Sequence, residues 1–81
     1  MSLTAEQKAL RAKEFLKDDV FLECIEKAKK RVLAEWALTG IDDAQTRETL
    51  FYKHRALDEV LRDLRSLIDD WKMIENKART N

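Results

Sequence analysis

Apolar residues in the second half of the chain recur at a spacing typical of one long amphipathic helix. Every seventh position is apolar in the series Leu50, Leu57, Leu64, Trp71 and Ala78. Val60, Leu67 and Ile74 follow members of this series by three places, and Leu61 and Ile68 follow by four. This face is broader than the seam of a two-stranded coiled coil. We therefore predict a helix over about 43–78, roughly 54 Å long at 1.5 Å per residue.

A shorter helix is predicted over about 5–17. It starts after Thr4, because Thr4 and Gln7 have the spacing of a capping box, in which each side chain bonds the other residue's amide. Asp18 and Asp19 follow this helix and are candidate caps for the next one. The pattern leaves open whether the two aspartates break the helix or only kink it, since neither Gly nor Pro stands there.

Another helix is predicted over about 20–38. Its apolar positions are separated by four, three, four and four residues, at Phe21, Ile25, Ala28, Val32 and Trp36. The only glycine of the chain, Gly40, follows. We expect it to adopt a left-handed conformation, with Ile41 packed on Trp36 in a Schellman cap and Asp42 or Asp43 capping the next helix.

The lengths of these segments predict their arrangement. The first two helices together nearly match the third, so a bend near Gly40 gives an all-α antiparallel helical hairpin with a kinked or broken first arm. We expect one helical domain over 1–81. A hairpin of this size buries little apolar surface, and an exposed apolar stripe is usually covered. Self-association is therefore predicted, as a homodimer or a higher oligomer, through Leu57, Leu61, Leu64, Ile68 and Trp71.

Composition limits the classes of partner. Charged residues make up 40% of the chain and apolar residues 44%, which suits amphipathic helices better than a disordered chain. Sixteen basic and sixteen acidic residues give no net charge to attract nucleic acid or a membrane from a distance. Without a signal-like segment, an apolar span or a second cysteine, we expect a protein of the reducing cytoplasm that does not enter membranes.

A basic run on the second helix is the candidate for nucleic-acid contact. Lys27, Lys30 and Arg31 share one helix face and could follow phosphates. Glu23, Glu26 and Glu35 each lie four residues from one of these cations and can pair with it. Because no aromatic residue is interleaved for base stacking, a solvated charged face is the preferred interpretation. Nucleic-acid binding is kept as the alternative function.

Residues with catalytic or metal-binding chemistry have simpler interpretations. His54 precedes Asp58 by one turn, and Cys24 could supply a thiol, but a histidine at the edge of the core beside a carboxylate is preferred to a catalytic pair. The acidic residues Asp69 and Asp70 are interspersed with basic ones and indicate a solvent face. We expect no enzymatic activity, no cofactor and no metal.

Aromatic residues gather near the predicted bend. Trp36, Phe51 and Tyr52 either close the bend as a small core, which is preferred, or form an exposed anchor for a partner protein.

The stretch from about 18 to 72 resembles small helical proteins of tailed phages and prophages. The matching residues begin a helix, precede the linker or open the long helix, and they are Val20, Phe21, Trp36, Thr39, Arg47, Glu48, Leu50 and Asp70. The chain departs from that pattern at Asp19, where the family has a proline, and at Trp71, where it has a glycine. The resemblance implies a phage context in which such proteins assist particle assembly or DNA packaging. It supplies no catalytic residue.

The sequence thus predicts a non-enzymatic, oligomeric helical interaction protein, phage-encoded and assisting virion assembly or packaging. Its expected partners are a second copy of itself and, in that context, another phage protein. The expected location is the host cytoplasm or the virion.

Overall fold

A computed structural model describes residues 2–80 and has three helices with no strand in that range. They are α1, Ala5–Lys17, α2, Asp19–Ala37, and α3, Ala44–Thr80. The predicted all-α class and the three helices are confirmed. Two ranges differ slightly: α2 begins and ends one residue earlier than the predicted 20–38, and α3 runs from 44 to 80 instead of 43 to 78.

Residue Thr4 begins α1 through the predicted capping box. Its hydroxyl accepts a hydrogen bond from the amide of Gln7 at 3.1 Å, and its own amide donates to the Gln7 side-chain oxygen at 2.9 Å. Two amides that the first helical turn leaves without a partner are satisfied in this way.

The boundary between α1 and α2 is a single extended residue, Asp18, with φ −78° and ψ 110°. Its amide donates to the carbonyl oxygen of Phe15 at 3.2 Å, and its carboxylate accepts the amide of Phe21 at 2.9 Å. The rings of Phe15 and Phe21 lie with centroids 5.4 Å apart on either side of this residue. The helix is therefore interrupted at Asp18, which ends α1 and caps α2.

The predicted Schellman cap at Gly40 is wrong. Gly40 does not have a positive φ, and Leu38 closes α2 in a right-handed conformation. Ile41 does not pack on Trp36, because its side chain is 91% exposed. The Asp43 carboxylate accepts a hydrogen bond from the Gly40 amide at 3.0 Å. It therefore stabilises the connection between α2 and α3 and does not cap the first turn of α3. These bonds fix the turn without a left-handed residue.

Helix α3 spans the molecule and both shorter helices contact it. The molecule measures 59 × 25 × 24 Å, and a 37-residue helix is about 55 Å long. Within the described residues only Ala9, Ala12 and Leu50 are buried, at 1%, 1% and 3% exposure. The small alanines let α1 approach α3 closely, so α1 contacts α3 more extensively than the longer α2 does. The core is correspondingly thin.

Candidate interaction surfaces

An apolar cleft lies between the end of α2 and the start of α3. Its volume is about 200 Å³ and it is open to solvent. Six residues line it: Val32, Leu33 and Trp36 from α2, and Leu50, Phe51 and His54 from α3. The walls are almost wholly hydrocarbon and aromatic ring, so the cleft suits an apolar group.

The rim of this cleft and the neighbouring turn carry a cluster of exposed apolar side chains. Half of the large apolar side chains that are exposed in the described part of the chain lie between residues 33 and 52, and they are Leu33, Trp36, Leu38, Ile41, Phe51 and Tyr52. The Phe51 and Tyr52 rings contact each other edge to face, 5.7 Å apart. The three aromatic residues do not form a closed core at the bend, and the alternative of an exposed anchor is the one that this geometry favours.

The turn beside the cleft is held by the Arg47 side chain of α3 and by hydrogen bonds within the turn itself. The guanidinium of Arg47 donates hydrogen bonds to the carbonyl oxygens of Gly40 and Ile41. The amide of Asp43 donates to the carbonyl of Gly40 at 3.1 Å, and the Thr39 hydroxyl donates to the carbonyl of Trp36 at 2.7 Å. This network, which we call the turn clamp, gives the connection between α2 and α3 a defined shape.

An ion pair crosses from α2 to α3 near the cleft. Lys29 Nζ lies 2.6 Å from Asp58 Oδ1, and His54 Nδ1 lies 3.8 Å from Asp58 Oδ2. The hydrogen bond to Asp58 raises the pKa of Lys29, and the same bond lowers the pKa of Asp58. The predicted proximity of His54 and Asp58 is confirmed. The carboxylate, however, is bonded most closely to Lys29, and Cys24 is an exposed free thiol.

The five residues predicted to mediate self-association lie along one side of α3. Leu57, Leu61, Leu64, Ile68 and Trp71 are each half-buried, in line with the buried Leu50. This is the side of α3 that the shorter helices contact, and Leu57 lies with Ala28 and Val32 of α2 in a second groove. Val60 and Ile74, on the flank of the same helix, are exposed. Self-association through the five residues stays a prediction.

The predicted nucleic-acid contacts are all exposed on α2. Lys27 pairs with Glu23 at 3.5 Å, as their four-residue spacing predicts. Lys30 and Arg31 have no ion pair within 4.0 Å among the residues that the structure describes. Lys29 points instead to Asp58, so the basic surface comprises Lys27, Lys30 and Arg31 and is small.

Sequence reasoning missed Leu33, Leu38, Ile41 and Arg47 as members of a surface. One signal was available: Leu38 and Ile41 are apolar residues in a turn, where polar residues are usual. The orientation of Arg47 toward the turn had no such signal.

In residues 2–80, no three His, Cys, Asp or Glu side chains are arranged to hold a metal ion. None of the helices over the same residues is both long and apolar enough to cross a membrane. Comparison of the chain with models of protein families, with curated proteins and with solved structures gives no match.

Proposed function

We propose that this chain is a non-enzymatic helical interaction protein that associates with itself. The observation that supports this most directly is its thin core. Two of the three buried residues in the described range are alanines. The accessible surface is 6770 Å², whereas a compact monomer of 9.6 kDa exposes about 5,100 Å². The radius of gyration, 17.6 Å, also exceeds the roughly 12 Å of a compact chain of this length.

The arrangement that we propose for each copy is an antiparallel hairpin, in which α1 and α2 form one arm and α3 the other. Trp36, near the end of α2, shares a cleft with Leu50, near the start of α3. Lys29, earlier in α2, pairs with Asp58, later in α3. Positions nearer the N-terminus of α2 thus contact positions nearer the C-terminus of α3, which supports the antiparallel order.

The setting that we propose is a phage particle or its assembly in the host cytoplasm, since the stretch from about 18 to 72 resembles small helical phage proteins. In that setting the partners are a second copy of the chain and another phage protein. An assembly factor needs binding surfaces and no reaction centre. Two exposed side chains of the cluster around the cleft, Trp36 and Tyr52, are of the types enriched at the binding hot spots of protein interfaces.

The native mass in solution tests the proposal. We expect sedimentation equilibrium or light scattering to give at least twice 9.6 kDa at micromolar concentration. Leu64→Asp places a charge in the half-buried row on α3 and should reduce this mass. Circular dichroism must establish that the variant is helical before its mass is compared. A wild-type chain that stays monomeric at all accessible concentrations contradicts self-association, and a folded Leu64→Asp oligomer excludes that row as the interface.

Nucleic-acid binding is the second candidate, supported by the exposure of Lys27, Lys30 and Arg31 on one helix. Fluorescence anisotropy with a labelled DNA duplex at two salt concentrations tests it. Binding that weakens steeply with salt and is lost when the three residues are changed to Gln supports contact with phosphates. Equal, weak anisotropy for both proteins excludes it.

A further inference from the structure

The turn between α2 and α3 carries the two most exposed large apolar side chains in the range that the structure describes. Leu38 is 87% exposed and Ile41 is 91% exposed. A single apolar residue on a protein surface is ordinary. These two, however, project from a six-residue connection next to the apolar cleft, at the end of the molecule where exposed apolar side chains are most concentrated.

The turn clamp fixes how these side chains are presented. Arg47 is half-buried and bonds the carbonyl oxygens of Gly40 and Ile41, while Asp43 bonds the amide of Gly40. The backbone that carries Ile41 therefore has its shape before any partner arrives. A preorganised projection loses less conformational entropy on binding than a mobile one.

The size of the cleft indicates what it can hold. Sites for small-molecule ligands usually have about 300–1,000 Å³, and this cleft has about 200 Å³. The walls are apolar, and His54 is the only lining residue with an ionisable side chain. A branched aliphatic side chain of a protein matches both the polarity and the small volume.

We propose that the cleft of each copy receives Ile41 of a second copy, with Leu38 packing on the rim. This inference rests on the proposed self-association and gives it a contact at the turn end of the molecule, an alternative to the row on α3 that Leu64→Asp tests. Projection and cleft lie at the same end of one chain, so a two-fold arrangement can bring each projection to the cleft of the other copy and close the pair.

Surface area and charge agree with a second copy as the occupant. The chain exposes about 1,700 Å² more than a compact monomer of its mass, and a standard interface takes about 800 Å² from each partner. The formal net charge is zero, so two copies do not repel each other at long range.

Ile41→Asp is the test. Because Ile41 is almost fully exposed, the substitution leaves the folded chain intact, and a change in mass reports the interface. We expect wild-type protein to be dimeric by sedimentation equilibrium, and the Kd of the variant to rise at least about 100-fold, since two copies of the contact are lost. The matched control is Met73→Asp, also exposed but far along α3, whose Kd should stay within about twofold of wild type.

A second variant tests the cleft. Leu33→Glu places a charge at its edge and should also dissociate the pair. An equimolar mixture of Ile41→Asp and Leu33→Glu retains one intact projection and one intact cleft, so we expect heterodimers at concentrations where each variant alone is monomeric.

The outcomes separate this inference from the proposed function. A monomeric wild type overturns both. A dimeric wild type whose Kd is unchanged by Ile41→Asp, or is raised equally by Met73→Asp, overturns the turn-and-cleft contact and leaves self-association standing. Variants that dissociate but give no heterodimer on mixing also overturn it.

Discussion

Lys29 of α2 and Asp58 of α3 are joined by a 2.6 Å ion pair, the shortest of the four ion pairs found between described residues. The other three connect residues of one helix. The Lys29 side chain is only 20% exposed, so its aliphatic stem is packed while its ammonium reaches the carboxylate. This pair fixes the register of α2 along α3 at one point.

The ion pair predicts a dependence of stability on pH. The lowered pKa of Asp58 means that its stabilising effect is present above the ordinary carboxyl pKa of about 4 and is lost as the pH falls through the folded-state value. The raised pKa of Lys29 means that its effect is present below its ordinary value and is lost as the pH rises through the folded-state value. We expect Asp58→Asn to lower Tm at pH 7 and to change it less at pH 3.

The control for that experiment is Glu59→Gln, which removes a carboxylate paired with Arg55 inside α3. A pair between exposed residues of one helix contributes only a few tenths of a kcal/mol. If the two variants give the same Tm at pH 7, the Lys29–Asp58 ion pair contributes no more to stability than the Arg55–Glu59 pair within α3.

Gly40→Ala is expected to be tolerated. Gly40 has no positive φ, and a methyl group there would lie 3.8 Å from the Asp43 carboxylate, an ordinary contact distance. Alanine restricts the unfolded chain, so the free energy of unfolding should stay level or rise by about 0.4–1 kcal/mol. Urea unfolding measures this. A loss above 1 kcal/mol would indicate the left-handed glycine that the sequence first predicted.

Arg47→Met should loosen the turn, because the carbonyl oxygens of Gly40 and Ile41 lose their side-chain donors. We expect a loss of about 1 kcal/mol in urea unfolding, together with faster amide exchange around the turn. The matched control is Arg55→Met, since Arg55 is exposed on the same helix and pairs only with Glu59 among the ion pairs in the described range. Equal losses for the two variants would mean that the turn clamp adds nothing to stability.

Asp18→Ala removes the cap of α2 and should lower the free energy of unfolding by about 1 kcal/mol. Asp19→Ala is the control, because Asp19 is the first residue of α2 and Asp18 supplies the capping carboxylate. If Asp18→Ala left the free energy of unfolding unchanged and raised the helicity, we would infer that α1 and α2 join into one helix when the capping residue is removed.

Local chemistry accounts for what could be predicted from the sequence. Thr4 and Gln7 lie three apart, so their spacing alone predicts the capping box. Asp18 is one of two adjacent candidate caps, and its bond to the Phe21 amide, also three residues away, shows which of them caps α2. The seven-residue series on α3 likewise predicts one continuous apolar side, because helical periodicity depends on near neighbours.

Contacts between distant residues account for what could not be predicted. Nothing in the spacing of Arg47 indicates that its guanidinium turns back to the carbonyl of Gly40, seven residues earlier. The choice of Lys29, and not Lys27 or Lys30, as the partner of Asp58 depends on the rotation of α2 against α3. The cleft has the same origin, since its walls come from Leu33 and Trp36 of one helix and Phe51 of another.

The turn clamp also bears on the topology of the proposed assembly. If the connection from Leu38 to Asp43 became helical, α2 and α3 would form one straight rod, and each rod could regain its lost contacts only by exchanging arms with another copy. Such exchange can continue from molecule to molecule. The bonds from Arg47 and Asp43 to Gly40 must break before the rod can form. In the proposed hairpin, they make each copy fold back on itself first, which favours the proposed closed pair over open-ended fibres.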